Sequence, residues 1–216
     1  MHIDSLQKGL VAHWTMSEDS LQSATVLADK TPYENKGTIS GATFTTDRKG
    51  QANKAMSFDG NDYIDCGNVQ KDLSLSSVTI SIWAKGAYEH LSVFFVDGKS
   101  KLGLGFYNYN GYKNLIVTSG ASIDEKPIVI IDDWSDTEWN HIVITYDSLH
   151  NPIGYLNNVL LSNSIEDNYW TENTNNLLIG RRTTGNYFNG SIDDVRIYNR
   201  ALSQDEIKKL YESYNK

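Results

Sequence analysis

The stretch that decides the fold lies near the carboxyl end and reads Phe188-Asn-Gly-Ser-Ile-Asp-Asp-Val-Arg-Ile-Tyr-Asn-Arg-Ala-Leu-Ser-Gln-Asp-Glu-Ile207. Its first half alternates like a β-strand, but the phase of the alternation changes once. Ile192 and Val195 are three residues apart, so an unbroken strand with a side-chain period of two would place them on opposite faces. We therefore predict a β-bulge at Asp193 and Asp194, a feature that redirects side chains at the rim of a sheet.

The second half of the stretch predicts a short amphipathic helix. Ser203 and Glu206 have the spacing of a capping box, in which each side chain accepts a hydrogen bond from the backbone N–H of the other residue. Apolar residues then recur at helical spacing and share one face: Ile207, Leu210, Tyr211 and Tyr214. We expect this face to dock against the sheet.

Short strand patterns separated by turn residues occupy most of the remaining sequence. Residues 78–84 and 139–146 show the strongest patterns. Asn157 and Asn158 separate two short apolar runs, and asparagine tolerates the positive φ that a tight hairpin needs. Many short strands with one helix predict an all-β, antiparallel two-sheet sandwich. We expect residues 1–216 to form a single domain, because the sequence shows no linker, repeat or low-complexity tract.

Five segments of the sequence carry a family resemblance. They are Gly9–Trp14, Ala55–Tyr63, Val78–Trp83, Trp139–Asp147 and the stretch 188–203. In this order they resemble laminin G-like domains of the concanavalin A-like lectin/glucanase superfamily, which typically end Phe-x-Gly-x-Ile-Asp-(Asp/Glu)-Val-Arg-Ile-Tyr-Asn-Arg-Ala-Leu-Ser. The resemblance implies a jelly-roll β-sandwich in which the first and last strands are neighbours. It does not name a ligand, because one fold hosts many functions.

The charge of the chain argues against two classes of partner. Lysine and arginine number 19 against 27 aspartates and glutamates, which gives a net charge of -8. Nucleic acid demands a basic surface, and an anionic membrane also attracts basic segments. No apolar run approaches the ~18 residues of a membrane span. We therefore expect no nucleic-acid binding and no membrane insertion, and the single Cys66 excludes an intrachain disulfide.

Residues 1–8 lack the basic start and the apolar segment of a signal peptide. We expect that a leader was removed or that the protein leaves its cell by another route, for instance inside a phage particle. The expected location is therefore extracellular or the surface of a virion.

The resemblance also extends to glycoside hydrolases, which act through paired carboxylates. Retaining hydrolysis needs two carboxyl groups about 5–5.5 Å apart, and the glucanases of this superfamily carry Glu-x-Asp-x-(x)-Glu, which this sequence lacks. The acidic segment 132–138 has a different order and is typical of a solvated turn. His141 lies mid-strand and is interpreted as a structural histidine. We expect no catalysis, with a hydrolase of unrecognised site kept as an alternative.

A calcium site is implied by the resemblance. Many relatives hold one ion between an N-terminal loop and the Ile-Asp-Asp segment, and the matching residues here are Asp29 and Asn35 on one side and Asp193 and Asp194 on the other. Calcium prefers oxygen ligands of these kinds. The relatives' loop often reads Asp-x-Ser-Gly-x-Gly-Asn-x-Gly, and this chain has lost part of those glycines. An ordinary turn of Asp and Asn residues is the alternative interpretation.

Aromatic residues in expected loops form the candidate ligand-binding set. Sugar rings stack their C–H faces on aromatic planes, and loops on a rigid sandwich are a usual place for such contacts. The set comprises Tyr107, Tyr109, Tyr112, Trp134, Tyr169, Trp170 and Tyr187. By contrast, Trp14, Trp83 and Trp139 lie inside alternating strands and are predicted to pack in the core.

These patterns together predict a non-catalytic recognition module. The expected partner is a glycan or cell-surface polysaccharide. The same aromatic side chains could bind other proteins of a larger assembly, because Tyr and Trp are favoured at protein interfaces. A structural decoration or fibre component of a phage virion is therefore a further alternative.

Overall fold

Strands make up most of the regular structure. The computed structural model describes residues 5–73, 77–86, 103–109, 112–118, 129–130, 134–148, 152–161, 176–181 and 187–213, and in 103–109, 112–118 and 129–130 the description covers the backbone. The strands are β1 (Leu10–Trp14), β2 (Leu21–Ser23), β3 (Val26–Leu27), β4 (Gly37–Ser40), β5 (Thr43–Thr45), β6 (Ala55–Asp59), β7 (Tyr63–Asp65), β8 (Val78–Lys85), β9 (Gly103–Tyr109), β10 (Tyr112–Thr118), β11 (Val129–Ile130), β12 (Asn140–Tyr146), β13 (Pro152–Leu156), β14 (Val159–Leu160), β15 (Leu178–Ile179) and β16 (Asn189–Tyr198). The helix α1 spans Gln204–Ser213, and 3₁₀ turns cover Glu18–Ser20 and Val69–Asp72.

The strands pair antiparallel and pack as a jelly-roll β-sandwich, as predicted. The large sheet has the order β14-β13-β12-β8-β16-β6-β5, with β1 beside β16. A second sheet has the order β15-β7-β4-β3-β2, and β11-β10-β9 pair with one another. The pairing of β1 with β16 confirms that the first and last strands are neighbours.

The main core lies between the large sheet and the second sheet. The large sheet contributes Ile80 and Ile82 of β8 and Ile144 of β12, all at most 1% exposed. The second sheet contributes Ile64 of β7 and Ile179 of β15, both fully buried. Along these strands, side chains that face the main core alternate with side chains on the other face, and this period of two explains why the sequence pattern predicted the strands.

The predicted bulge is present in β16. Against β8, Asp193 lies opposite Trp83 and Arg196 lies opposite Ser81, so β16 has one more residue than its partner over this interval. The extra residue, Asp194, adopts a positive φ of 47°.

The bulge coincides with a change of neighbour along β16. Residues 189–192 pair with β6, whereas residues 195–198 pair with β1. Ile192 and Val195 therefore both reach the main core, where each is fully buried. Asp193 and Asp194 lie where the β6 ladder has ended and the β1 ladder begins, so they are placed at a junction of three strands.

A second core lies on the outer face of the large sheet and is covered by α1. The capping box is confirmed, since Ser203 N donates to Glu206 Oε2 at 3.0 Å and Glu206 N donates to Ser203 Oγ at 3.3 Å. Ile207 and Leu210 of the helix are fully buried. Their partners include Trp83, which is 4% exposed and belongs to this second core rather than to the main one.

The sequence also predicted the turn that joins β13 to β14. Asn157 and Asn158 have φ values of 50° and 66° and join β13 to β14, which confirms the predicted tight hairpin. The segment 17–37 contains the short strands β2 and β3. Within the described ranges, no helix has the length and apolar composition needed to cross a membrane.

Candidate functional site

The two carboxylates of the bulge are buried and surrounded by cationic side chains. Asp193 is 3% exposed and Asp194 is 6% exposed. Asp194 Oδ1 accepts a hydrogen bond from Arg196 Nε at 3.0 Å and lies 2.8 Å from His13 Nε2. Asp193 Oδ2 accepts a hydrogen bond from Arg48 Nη1. The bulge is therefore the centre of a charged network built from β1, β16 and the loop after β5.

The N-terminal loop is organised by Asp29. Its carboxylate accepts four hydrogen bonds, from His13 N, Thr31 N and Asn35 N at 2.9 Å each and from Thr31 Oγ1 at 2.7 Å. Asn35 is also engaged, because its Nδ2 donates to Val11 O at 3.0 Å and its Oδ1 accepts from Lys71 Nζ at 3.0 Å. These contacts describe a hydrogen-bonded turn.

The predicted calcium ligands do not fit one shared ion in this arrangement. A calcium site presents carboxylate and carbonyl oxygens to the metal, but the Asp29 oxygens already accept protein N–H and O–H groups and the Asp194 carboxylate faces arginine and histidine. Across the residues that the structure describes, no group of three or more His, Cys, Asp or Glu side chains is arranged to hold a metal. Calcium stays a prediction, and a chelator experiment tests it.

An open polar pocket of about 210 Å³ lies beside the bulge. It is lined by Thr15 and Ser17, by side chains of the 47–54 loop, and by Asp193 and Asp194. Asp194, which lines the pocket, has a positive φ of 47°. Met16 and Asn53 also have positive φ, at 54° and 60°, and each is adjacent in sequence to a residue that lines the pocket. Strained backbone of this kind persists only where the surroundings enforce it.

A second group of side chains lies on the surface of the second sheet. Arg181 stands over two tyrosine rings, with its guanidinium carbon 4.7 Å from the ring centre of Tyr63 and 5.5 Å from that of Tyr187. All three side chains are partly exposed. We call Tyr63, Arg181 and Tyr187 the tyrosine–arginine cluster. It combines aromatic surface with the N–H donors of a guanidinium group.

The local fold explains how the tyrosine–arginine cluster forms. Ile64 faces the main core, so Tyr63, its neighbour in β7, faces outward. Arg181 and Tyr187 face each other across an antiparallel bridge. Gly180 makes the bridge possible, because it has a φ of 84° and a Cβ there would lie 2.5 Å from the Phe58 ring.

The described aromatic residues that were predicted to bind a ligand do not lie together in one cluster. Tyr187 lies in the tyrosine–arginine cluster. Trp134 is a correction: it is 6% exposed, packs in the main core and donates its Nε1 hydrogen to Gly86 O at 3.3 Å, so it offers no ring face to a ligand. Tyr107, Tyr109 and Tyr112 were expected in a loop, but they lie in β9 and β10, where Tyr109 pairs with Tyr112. Tyr169 and Trp170 lie outside the described residues.

Sequence reasoning missed several residues that the structure brings together. Tyr63 could have been found from its alternation with Ile64, which predicts an outward side chain next to a turn. Arg48, His13 and Arg181 had no local signal, since their partners are distant in the chain.

His141 confirms the structural interpretation of a mid-strand histidine. It is fully buried, its Nε2 lies 2.8 Å from Ser81 Oγ, and its ring stacks on Trp83 with the ring centres 4.8 Å apart. Burial lowers the pKa of His141 to about 3. A substrate in solvent cannot reach this imidazole, so it does not act as a surface base.

The two antiparallel sheets and the single terminal helix place the chain in the class of jelly-roll β-sandwich domains. Residues 58–208 match the model of a laminin G family, Laminin_G_3, of the concanavalin A-like lectin/glucanases superfamily. The chain therefore belongs to this family, and its likeness to known structures agrees with that assignment.

Solved structures share the fold at low sequence identity. Domain 4 of AbnA, an extracellular arabinanase of Geobacillus stearothermophilus in complex with arabinotriose, has a TM-score of 0.70 and 20% identity over 94% of this chain and 98% of that one. A Trypanosoma rangeli sialidase mutant has a TM-score of 0.68 and 16% identity, over 96% of this chain and 33% of the sialidase. A structure of botulinum neurotoxin type C, a toxin whose cell entry is described as dependent on two ganglioside molecules, has a TM-score of 0.66 and 13% identity. The match covers 95% of this chain and 51% of the toxin chain.

The fraction of each solved chain that this protein matches differs between the three structures. This chain spans nearly all of the arabinanase domain, but about a third of the sialidase and half of the toxin chain. At such identities the likeness shows the fold alone. The comparison with curated proteins gave no match.

Proposed function

We propose that the protein is a non-catalytic glycan-binding module that acts outside the cell or on the surface of a particle. The tyrosine–arginine cluster is the observation that carries this proposal. The arabinanase domain, which matches this chain over nearly its whole length, is described in complex with an oligosaccharide, and this supports the same ligand class here.

The chemistry of the cluster suits a sugar. A sugar ring offers C–H groups to an aromatic face and hydroxyl groups to hydrogen-bonding side chains. Tyr63 and Tyr187 supply aromatic surface, and Asp65 lies on the same face of β7 as Tyr63 and accepts a hydrogen bond from Asn176 Nδ2 at 3.0 Å. The tyrosine–arginine cluster therefore places stacking and hydrogen-bonding groups side by side.

The cluster is also held in place before any ligand arrives. Arg181 contacts both rings, and the bridge between Arg181 and Tyr187 sets the distance between the two chain segments that carry them. A preorganised site loses less side-chain entropy on binding, which favours affinity.

The test is a glycan array followed by titration of the best glycan against variants. Tyr187→Ala and Tyr63→Ala should each weaken binding by about 1–3 kcal/mol, roughly 5- to 150-fold, because each removes an aromatic anchor. Tyr33→Ala is the matched control, since Tyr33 is 44% exposed on the N-terminal loop and should bind like the parent. Circular dichroism should show that all three variants fold.

Other array results would overturn the proposal. An array without hits, together with stoichiometric binding to a large protein partner, would favour a structural component of a particle. Release of sugar from a polysaccharide, abolished by replacing one carboxylate, would favour a hydrolase. Equal binding by Tyr187→Ala, Tyr63→Ala and the parent would remove the cluster as the site.

A further inference from the structure

We propose that the guanidinium group of Arg48 is a built-in cation that neutralises Asp193 and Asp194 at the position where the family resemblance implies calcium. Arg48 thereby ties the loop between β5 and β6 to the bulge of β16. The fold then depends on this arginine and not on a bound metal.

The loop that carries Arg48 has a defined shape. Asp47 Oδ1 accepts hydrogen bonds from Lys49 N at 2.9 Å and from Gln51 N at 2.8 Å. Asp47 N donates to Gln51 O at 3.0 Å, which closes the turn. These bonds direct the Arg48 side chain inward while Lys49 stays exposed.

Among the described residues, the Arg48 guanidinium group contacts Asp193, Asp194 and Trp83. Its Nη1 contacts Asp193 Oδ2, and its Nη2 lies 3.8 Å from Asp194 Oδ2. Its central carbon lies 4.9 Å from the centre of the Trp83 ring, a distance typical of a cation–π contact. The side chain is 10% exposed. Arginine suits such a position, because its planar fork binds carboxylates and stacks on aromatic rings.

A cation at this position stabilises the charged forms of both buried carboxyl groups. The side chains of Asp193 and Asp194 are 4% and 8% exposed, and a buried carboxylate is unfavourable unless it is paired. Arg196 also contacts Asp194, so arginines of this chain approach both carboxylates. A calcium ion on the same oxygens would be repelled by these guanidinium groups.

Hydrogen bonds within the chain also join the N-terminal loop to the bulge, which is the connection that a shared ion would make. His13 donates its backbone N–H to Asp29 Oδ1 at 2.9 Å, and its side chain reaches Asp194. The N-terminal loop and the bulge are therefore joined through one residue of β1. Both carboxylate oxygens of Asp29 and both of Asp194 already accept hydrogen bonds from protein groups.

The experiment compares melting temperatures of the parent, Arg48→Ala and Lys49→Ala in chelator and in millimolar calcium. The parent should melt at the same temperature in both solutions, because no metal binds to the folded state. Arg48→Ala should melt lower by roughly 6–20 °C, the shift expected when a buried ion pair loses one partner. Lys49→Ala is the control on the same loop and should melt like the parent.

A charge-neutral double variant separates lost charge from lost packing. Arg48→Met combined with Asp193→Asn should melt higher than Arg48→Ala, since it removes the unpaired charge and keeps most of the side-chain volume. This variant also keeps the test informative if Arg48→Ala does not fold.

Three results would overturn the inference. One is a parent protein that melts lower in chelator or retains stoichiometric calcium by elemental analysis. Another is an Arg48→Ala variant as stable as Lys49→Ala. The third is a double variant that is no more stable than Arg48→Ala.

Discussion

His141 illustrates how a residue's surroundings set its protonation. Burial, together with the nearby Arg48 and Arg196, lowers the pKa of His141 to about 3, against the raising effect of Asp194. The imidazole is therefore neutral in the folded protein at physiological pH. The unfolded chain, with an ordinary histidine pKa near 6.5, takes up a proton more readily.

This difference predicts an acid-dependent loss of stability. Since the folded-state pKa is lowered, the contribution of His141 is present above about pH 6.5 and is lost as the pH falls towards 3. Urea unfolding of the parent and of His141→Gln at several pH values measures this. The difference in free energy of unfolding between parent and variant should shrink as the pH falls. A difference that is constant between pH 7 and pH 4 would contradict a neutral buried His141.

The two aspartates of the bulge differ although they are adjacent. Burial raises the pKa of Asp193 to about 7, against the lowering effect of Arg48. Burial also acts on Asp194, but Arg196 and His13 outweigh it and hold its pKa well below its usual range. Partners rather than residue type therefore decide the charge at each position.

At the scale of elements, α1 stabilises the sheet by covering an otherwise exposed face. Trp83 is at the centre of this contact, stacked on His141 and on Tyr211, whose ring centre lies 5.6 Å away. The bulge beside it brings Arg48 over the same ring. The helix α1, the bulge and the loop that carries Arg48 therefore all pack around the Trp83 side chain.

Truncation of Trp83 should therefore be strongly destabilising. Trp83→Ala should lower the free energy of unfolding by about 3–5 kcal/mol, the usual loss for a buried aromatic. Lys208→Ala, an exposed change on α1, is the control and should stay within about 0.5 kcal/mol of the parent. Urea denaturation followed by circular dichroism measures both. A loss below about 1 kcal/mol for Trp83→Ala would show that α1 docks without it.

At the scale of the whole molecule, the two cores share the same strands. Strands β8 and β12 contribute Ile80 and Ile144 to the main core and Trp83 and Val143 to the second. Loss of one core exposes the back of the strands that build the other. The cores should therefore unfold together, in keeping with a single domain over residues 1–216.

Denaturant unfolding followed by two probes tests this cooperativity. Tryptophan fluorescence and far-UV circular dichroism should give coincident transitions in the parent, as expected for two-state unfolding. In Trp83→Phe the fluorescence reports more of the main core, and its transition should still coincide with that variant's circular dichroism. Two separated transitions would show that the cores unfold independently.

The sequence by itself determined the features that a few neighbouring residues encode. The phase change from Ile192 to Val195 predicted the bulge, Ser203 and Glu206 predicted the helix start, and Asn157-Asn158 predicted the hairpin. Each depends on backbone geometry over at most a turn of chain. The family resemblance added the jelly-roll fold and the pairing of β1 with β16.

Only the tertiary structure decided which distant residues meet. Arg48 reaches Asp193 across 145 positions and His13 reaches Asp194 across 181, and no local pattern encodes such pairs because they depend on strand order and register together. The polar neighbours of Trp134 in the sequence predicted an exposed side chain, but the fold buries it. The tyrosine–arginine cluster also depends on the tertiary structure. Tyr63 meets Arg181 and Tyr187 because β7 and the end of β15 become neighbours only when the second sheet forms.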